Sequence, residues 1–175
     1  MKDIKEFFRT ELEHGTYFLN GPEIYGKLKE VFEKRASSRE WDQEVDHLSL
    51  ELLAGLAVFH FGEYEKELER LLRDPTFSAE AKIKGLGVIR HHFLDPDHVL
   101  AGLRLYPLFL NANEPGLRDF AARSFLQLLT EMRVVGGMGG VLRDEGTKGE
   151  IRRILKELSA RGWMEADELL DLLEL

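Results

Sequence analysis

Apolar side chains recur along nearly the whole chain at the three-and-four spacing of an α-helix, and alternating β-branched runs are almost absent. A chain patterned this way buries one stripe of each helix against another helix, so the expected class is all-α. The first stripe is Ile4, Phe7, Phe8 and Leu12, and it stops at Gly15. Asn20 and Glu23 have capping-box spacing ahead of a second helix reaching about Arg35, with Ile24, Leu28, Val31 and Phe32 inward. Ser37 and Glu40 repeat that spacing before a long helix over about 40–60, whose inner set is Trp41, Val45, Leu48, Leu52, Leu53, Leu56 and Phe59. Residues 48–61 are apolar nearly all round, which predicts a central helix.

Punctuation residues set the remaining elements. Tyr64, Leu68, Leu71 and Leu72 form the narrow stripe of a short acidic helix ending at Asp74-Pro75, and a helix over 77–93 follows. Asp95-Pro96 reads as a cap and first-turn proline. The helix it opens carries Leu100, Leu103 and Leu108 and ends near 111–113. Pro115 opens a helix to about Arg133 with Leu117, Ala121, Phe125, Leu128 and Leu129 inward. After the glycine run 136–140, Thr147 and Glu150 give a third capping box ahead of Ile151, Ile154, Leu155 and Leu158. Gly162 ends that helix, and a last one starts near Glu165. The sum is eight or nine helices, whose short connections imply antiparallel hairpins.

Composition narrows the function. The 175 residues, 43% of them apolar, suffice for a sizeable core in a single helical domain, 1–175. There are 24 cationic and 32 acidic residues, a net charge of −8, which disfavours nucleic acid and anionic membranes unless a basic patch is present. With no cysteine, disulfides, thiol catalysis and cysteine-ligated metals are excluded. No apolar run is long enough to span a membrane, and the acid-bearing start MKDIKEFFRTELEH has no signal-like apolar core. The expectation is a cytoplasmic protein without membrane contact.

Pro75 and Pro115 lie 40 residues apart, and at that offset Ala81 matches Ala121 and Leu86 matches Leu126. Phe77 and Leu117, Val88 and Leu128, and Ile89 and Leu129 agree in apolar character. On these residues the stretch 38–132 resembles the HEAT/armadillo class of α-solenoid repeats. The resemblance implies a short α-α superhelix of HEAT-like helical hairpins. Residues 1–36 would form an N-terminal capping helix pair, 37–133 the repeat-like array, 134–147 a Gly-rich linker and 148–175 a C-terminal helical hairpin. It also implies binding through the second helix of each pair, about 62–73 and 96–110. The exposed candidates there are Glu63, Glu67, Arg70, His98 and Arg104.

Constellations with chemical potential are few. His91, His92, Asp95, Asp97 and His98 supply metal-ligand chemistry in one stretch, but Asp95 and Asp97 are also explained by capping and the helix dipole. Glu11-x-x-His14 and Glu44-x-x-His47 match di-iron spacing, yet lie off the inward faces. The glycine run lacks a preceding strand and any following Gly-Lys-Ser/Thr, so it reads as a linker. No serine sits in a nucleophile elbow, and Ser37, Ser38 and Ser78 read as helix starts. Neither a metal nor another cofactor is expected.

The leading expectation is therefore a non-catalytic protein–protein interaction module, an adaptor or an acidic immunity-type inhibitor whose partner is another, basic, protein. The acids Asp42, Glu44, Asp46 and Glu51 on one helix, and Glu63, Glu65, Glu67 and Glu69 on the next, are the candidate complement. The alternative is a nucleic-acid-binding HEAT-like protein using Arg90, Arg118, Arg123 and the segment 148–161, which holds five cations to two acids. A metal-dependent enzyme built on the His/Asp stretch comes third.

Overall fold

The computed structural model describes residues 2–15, 19–38, 41–59, 63–90, 96–134 and 138–172; for 2, 96–98 and 138–139 it describes the backbone alone. Among the described residues every element is helical and none is a strand, so the all-α class holds. The chain forms two compact units, Met1–His92 and Phe93–Leu175, and their boundary falls inside the stretch expected as a repeat-like array.

The first unit contains α1 (Lys2–His14), α2 (Gly21–Ser37), α3 (Gln43–Phe59), α4 (Glu65–Arg73) and α5 (Ala79–Arg90). Helix α3 packs against each of the other four, as its all-round apolar sequence requires. Leu50, Leu52, Leu53 and Leu56 of α3 are fully buried with Phe8, Ile24, Leu28, Leu68, Leu72 and Leu86. The α3–α5 contact is close because Gly85 faces Leu50, where an added Cβ would stand 3.3 Å from the Leu50 carbonyl oxygen. Gly15 ends α1 in the left-handed region, at φ +62°, and its N–H donates to the Glu11 carbonyl, as the chain-stop reading expected.

The start of α3 and its last residue differ from expectation. Ser37 does not cap α3; it lies in the last turn of α2, where its hydroxyl donates to the Glu33 and Lys34 carbonyls. Asp42 caps α3 instead, its carboxylate accepting the Glu44 N–H at 3.0 Å. A carboxylate next to the positive end of the helix dipole outcompetes a hydroxyl placed further upstream. Phe59, expected inward, is half exposed at the end of α3. Ser78 does cap α5, accepting the Ala81 N–H.

The second unit contains α6 (Pro96–Leu105), a 3-10 turn (Tyr106–Phe109), α7 (Pro115–Val134), the single turn α8 (Met138–Val141), α9 (Glu145–Ala160) and α10 (Met164–Leu172). Helix α7 is its hub, contacting α6, the 3-10 turn, α8 and α10. Its inward residues Leu117, Ala121, Phe125, Leu128 and Leu129 are all buried, as expected. Pro107 accounts for the largest difference in this unit. It has no N–H to continue α6, so the chain tightens into the 3-10 turn. The stripe shifts accordingly: Val99, Ala101, Leu105, Tyr106 and Phe109 are buried, whereas Leu100 is exposed and Leu103 and Leu108 are half-buried.

Helix α9 begins three residues earlier than the Thr147 capping box implied. Asp144 is its cap, accepting both the N–H and the hydroxyl of Thr147, at 2.7 and 2.6 Å. Its C-terminus is a Schellman motif. The Gly162 N–H donates to Ser159 O and the Trp163 N–H to Leu158 O, with Gly162 at φ +89°. That three-residue turn sets α10 against α9 as the expected hairpin.

Candidate interaction surface

Helix α4 buries Leu68, Leu71 and Leu72, with Tyr64 just ahead of it, and turns its charged residues outward. The Tyr64 ring lies 4.7 Å from the ring of Tyr25 on α2, tilted by 54°. Lys29, one turn further along α2, holds its ammonium 4.5 Å from the centre of the Tyr25 ring, in cation–π range. On α4, Arg70 donates to both carboxylate oxygens of Glu67, from Nε at 2.9 Å and Nη2 at 2.7 Å. The cluster thus joins a half-buried tyrosine, a lysine and a two-point arginine–carboxylate pair from two helices.

The electrostatics agree with this geometry. The Arg70 hydrogen bonds hold the Glu67 carboxyl below its ordinary range, against the opposing effect of partial burial. Burial pushes the Tyr25 phenol up, and the nearby charges of Glu67 and Glu63 add to it. Tyr64 is raised for the same first reason, with Glu63 beside it. Both tyrosines are therefore neutral hydroxyls at physiological pH, with apolar ring faces and polar tips.

The predicted site residues divide between the units. Glu63, Glu67 and Arg70 come together at the α2–α4 surface, and Glu63 is exposed. Arg104 is exposed on α6 of the second unit and is engaged in an interaction there. His98 lies in the first turn of α6, and its side chain is outside the described residues. Tyr25 and Lys29 escaped the sequence reading as surface groups, whereas Tyr64 is buried, as its place in the narrow stripe predicted. The available signal was Tyr25 itself, an aromatic beside Ile24 on a helix whose inward set is otherwise largely aliphatic.

The acidic run on α3 is not a free surface. Asp46 is buried, taking hydrogen bonds from Arg35 and from Trp41 Nε1 at 2.7 Å. Asp42 and Glu44 are paired with Lys5, each at 2.7 Å, and Glu44 also with Arg9. Glu51 is half-buried, and desolvation pushes its carboxyl up. On α4 the acids Glu67 and Glu69 are paired too, but with arginines of the same helix that are themselves exposed, so the candidate complement to a basic partner contracts to α4 and the turn before it.

The remaining constellations fare as follows. Glu44 of the Glu-x-x-His pair is held by cations, and His14 of the other pair is exposed. Among the described residues no group of three or more His, Asp or Glu side chains converges to hold a metal ion. His91, His92 and Asp95, and the side chains of Asp97 and His98, lie outside the described residues. So do Gly136 and Gly137 of the glycine run. In the basic C-terminal segment Arg153 is paired with Glu150 and Glu157, and Arg161 with Glu157, so its own acids offset part of the positive charge. Among the described residues no helix is long and apolar enough to cross a membrane.

The sequence matches no protein-family model, and neither a curated protein nor a solved structure matches it significantly.

Proposed function

We propose that the protein is a non-catalytic protein-binding module that engages a basic segment of its partner through the α2–α4 surface. The observation that carries this reading is the ordered group of Tyr25, Lys29, Glu67 and Arg70, with Glu63 alongside. Tyrosine and arginine are the residue types that dominate binding energy at protein interfaces. Holding Arg70 on Glu67 and Tyr25 on Tyr64 before binding reduces the side-chain entropy lost on association. Glu63 supplies negative charge at the rim, where charge complementarity raises the association rate.

The finer architecture is also a proposal: HEAT-like helical hairpins, with α5 and α7 in equivalent places and α4 and α6 as the second helices of their pairs. Four of the five side-chain pairs at the 40-residue offset support it, since Phe77 and Leu117, Ala81 and Ala121, Leu86 and Leu126, and Ile89 and Leu129 are all buried.

A photo-crosslinking residue placed at Glu63 tests the binding surface. The expected result is one dominant protein adduct, lost when unlabelled wild-type chain is added in excess. An adduct pattern no different from that of the same residue placed at Glu30, exposed on α2, would overturn the proposal.

A further inference from the structure

Helix α1 is attached to its unit unlike any other helix there. Phe8 is its one fully buried side chain among those described, and Ile4, Phe7 and Leu12 are half-buried. Beside these apolar contacts stands an ionic attachment at the start of α3. Lys5 Nζ lies 2.7 Å from Asp42 and 2.7 Å from Glu44, and Arg9 also meets Glu44. Glu6 lies 3.9 Å from Arg9, and Lys27 of α2 stands 5.0 Å above the Phe7 ring. Helix α1 also carries Asp3, Glu11, Glu13 and His14, and Glu11 is engaged in an interaction of its own. Between 21% and 43% of each of the four main ionic side chains is open to solvent, so salt screens these pairs.

Lys5 and Arg9 are one helical turn apart, with Phe8 between them on the side that is buried. Helix α1 is thus a worked example of what this face of α3 receives: an aromatic anchor flanked by two cations at i and i+4. Gly15, in the left-handed region, ends the helix directly after it.

We propose that α1 is a releasable strap, and that the α3 face it covers accepts in trans a partner helix of the same chemistry, basic and phenylalanine-anchored. Release gives up one complete side-chain burial, the partial burial of Ile4, Phe7 and Leu12, and a set of screened ion pairs. Loss of α2 or α5 would instead expose several fully buried residues each, among them Ile24, Leu28, Ala81 and Leu86. Local opening is expected where the buried apolar contacts are fewest. The proposal does not depend on the α2–α4 surface, and either can fail alone.

Amide exchange of the full chain and binding of a peptide spanning residues 1–15 test it together. In the wild-type chain the amides of α1 should exchange about tenfold or more faster than those of α3, and faster still in about 0.5 M NaCl. In a Lys5→Glu/Arg9→Glu chain, whose own strap is weakened, the wild-type peptide should bind, and more weakly as salt is added. A chain carrying Asp42→Lys and Glu44→Lys should reject the wild-type peptide and take the charge-reversed one. Exchange of α1 in step with α3, or no binding of the wild-type peptide to the weakened chain at about 1 mM, would overturn the proposal.

Discussion

Arg35 grips Asp46 at both carboxylate oxygens, from Nε at 2.8 Å and Nη2 at 3.0 Å, and so ties the end of α2 to the first turn of α3. The same guanidinium donates to the hydroxyl and carbonyl oxygens of Thr76, at 2.6 and 2.7 Å, and lies 3.9 Å from the centre of the Phe77 ring. One side chain therefore pins three segments of the first unit. The Asp46 side chain is only 6% exposed, so removing its partner strands a charge in a poorly hydrated place. Asp46→Ala or Arg35→Ala should lower the unfolding free energy by about 3 kcal/mol, the low end for breaking a buried pair. Chemical denaturation followed by circular dichroism measures this. By contrast, Glu67→Ala breaks a pair whose arginine is 59% exposed, and should change stability by about 1 kcal/mol or less.

Two buried serines provide a test with the opposite sign. The hydroxyls of Ser49 in α3 and Ser124 in α7 are buried, and neither has a hydrogen-bond partner among the described residues. A buried hydroxyl without a partner loses its hydration and gains nothing in exchange. Ser49→Ala and Ser124→Ala should each leave stability unchanged or raise it by about 1 kcal/mol. The denaturant midpoint reads the effect, and a fall of the midpoint in both variants would mean that these hydroxyls are bonded in solution.

The helical glycines separate into permissive and packed positions. An alanine at Gly26, on the exposed side of α2, would meet nothing within 4 Å, so Gly26→Ala should stabilise by about 0.5–1 kcal/mol through helix propensity. At Gly102 the added methyl would lie 2.9 Å from Leu128 Cδ2 and 3.1 Å from Tyr106 Cε2, both in fully buried side chains. Gly102→Ala should therefore destabilise, by about 1–3 kcal/mol from overpacking less the propensity gain. Thermal melts of the two variants should shift in opposite directions.

Acid should loosen α1. The Lys5 hydrogen bonds hold both Asp42 and Glu44 below the ordinary carboxylate values of 3.8 and 4.5, and Arg9 adds to the effect on Glu44. A carboxyl lowered by folding stabilises the native state above its unfolded pKa, and that contribution is lost as pH falls through the lowered folded pKa. The attachment of α1 is thus complete at pH 7, starts to weaken below about pH 4.5 and is gone once both groups are protonated. Amide exchange of α1, corrected for intrinsic rates, should accelerate relative to α3 across that interval. An unchanged ratio would show that these ion pairs do not hold the helix.

The parts of this fold that were legible in the sequence are those set by period and punctuation. The stripes of α7 and α9, the stops at Gly15 and Gly162 and the central place of α3 follow from apolar spacing and glycine alone. What stayed hidden depends on partners distant in sequence. Asp46 looked like one of several solvated acids because α3 is apolar nearly all round, and periodicity cannot say which polar residue on such a helix is buried. Its partner Arg35 lies in another helix, and Thr76 a further 41 residues from Arg35. At the candidate surface, Glu63, Glu67 and Arg70 were legible as charges on a narrow-striped helix. Tyr25 and Lys29 were not, because their role comes from the packing of α2 beside Tyr64. The shift of the α6 stripe was written in Pro107, whose missing N–H outweighs the leucine spacing around it.

The central claim is that the α2–α4 surface binds a basic partner, and paired affinity capture tests it most directly. Wild-type chain and a Glu63→Lys/Glu67→Lys variant are immobilised at equal density, and their melting temperatures are compared alongside. The account predicts that one stoichiometric protein is retained by the wild type and lost from the variant, with the melts nearly superimposed. Equal retention by both chains, or retention of nucleic acid in place of a protein, would contradict it.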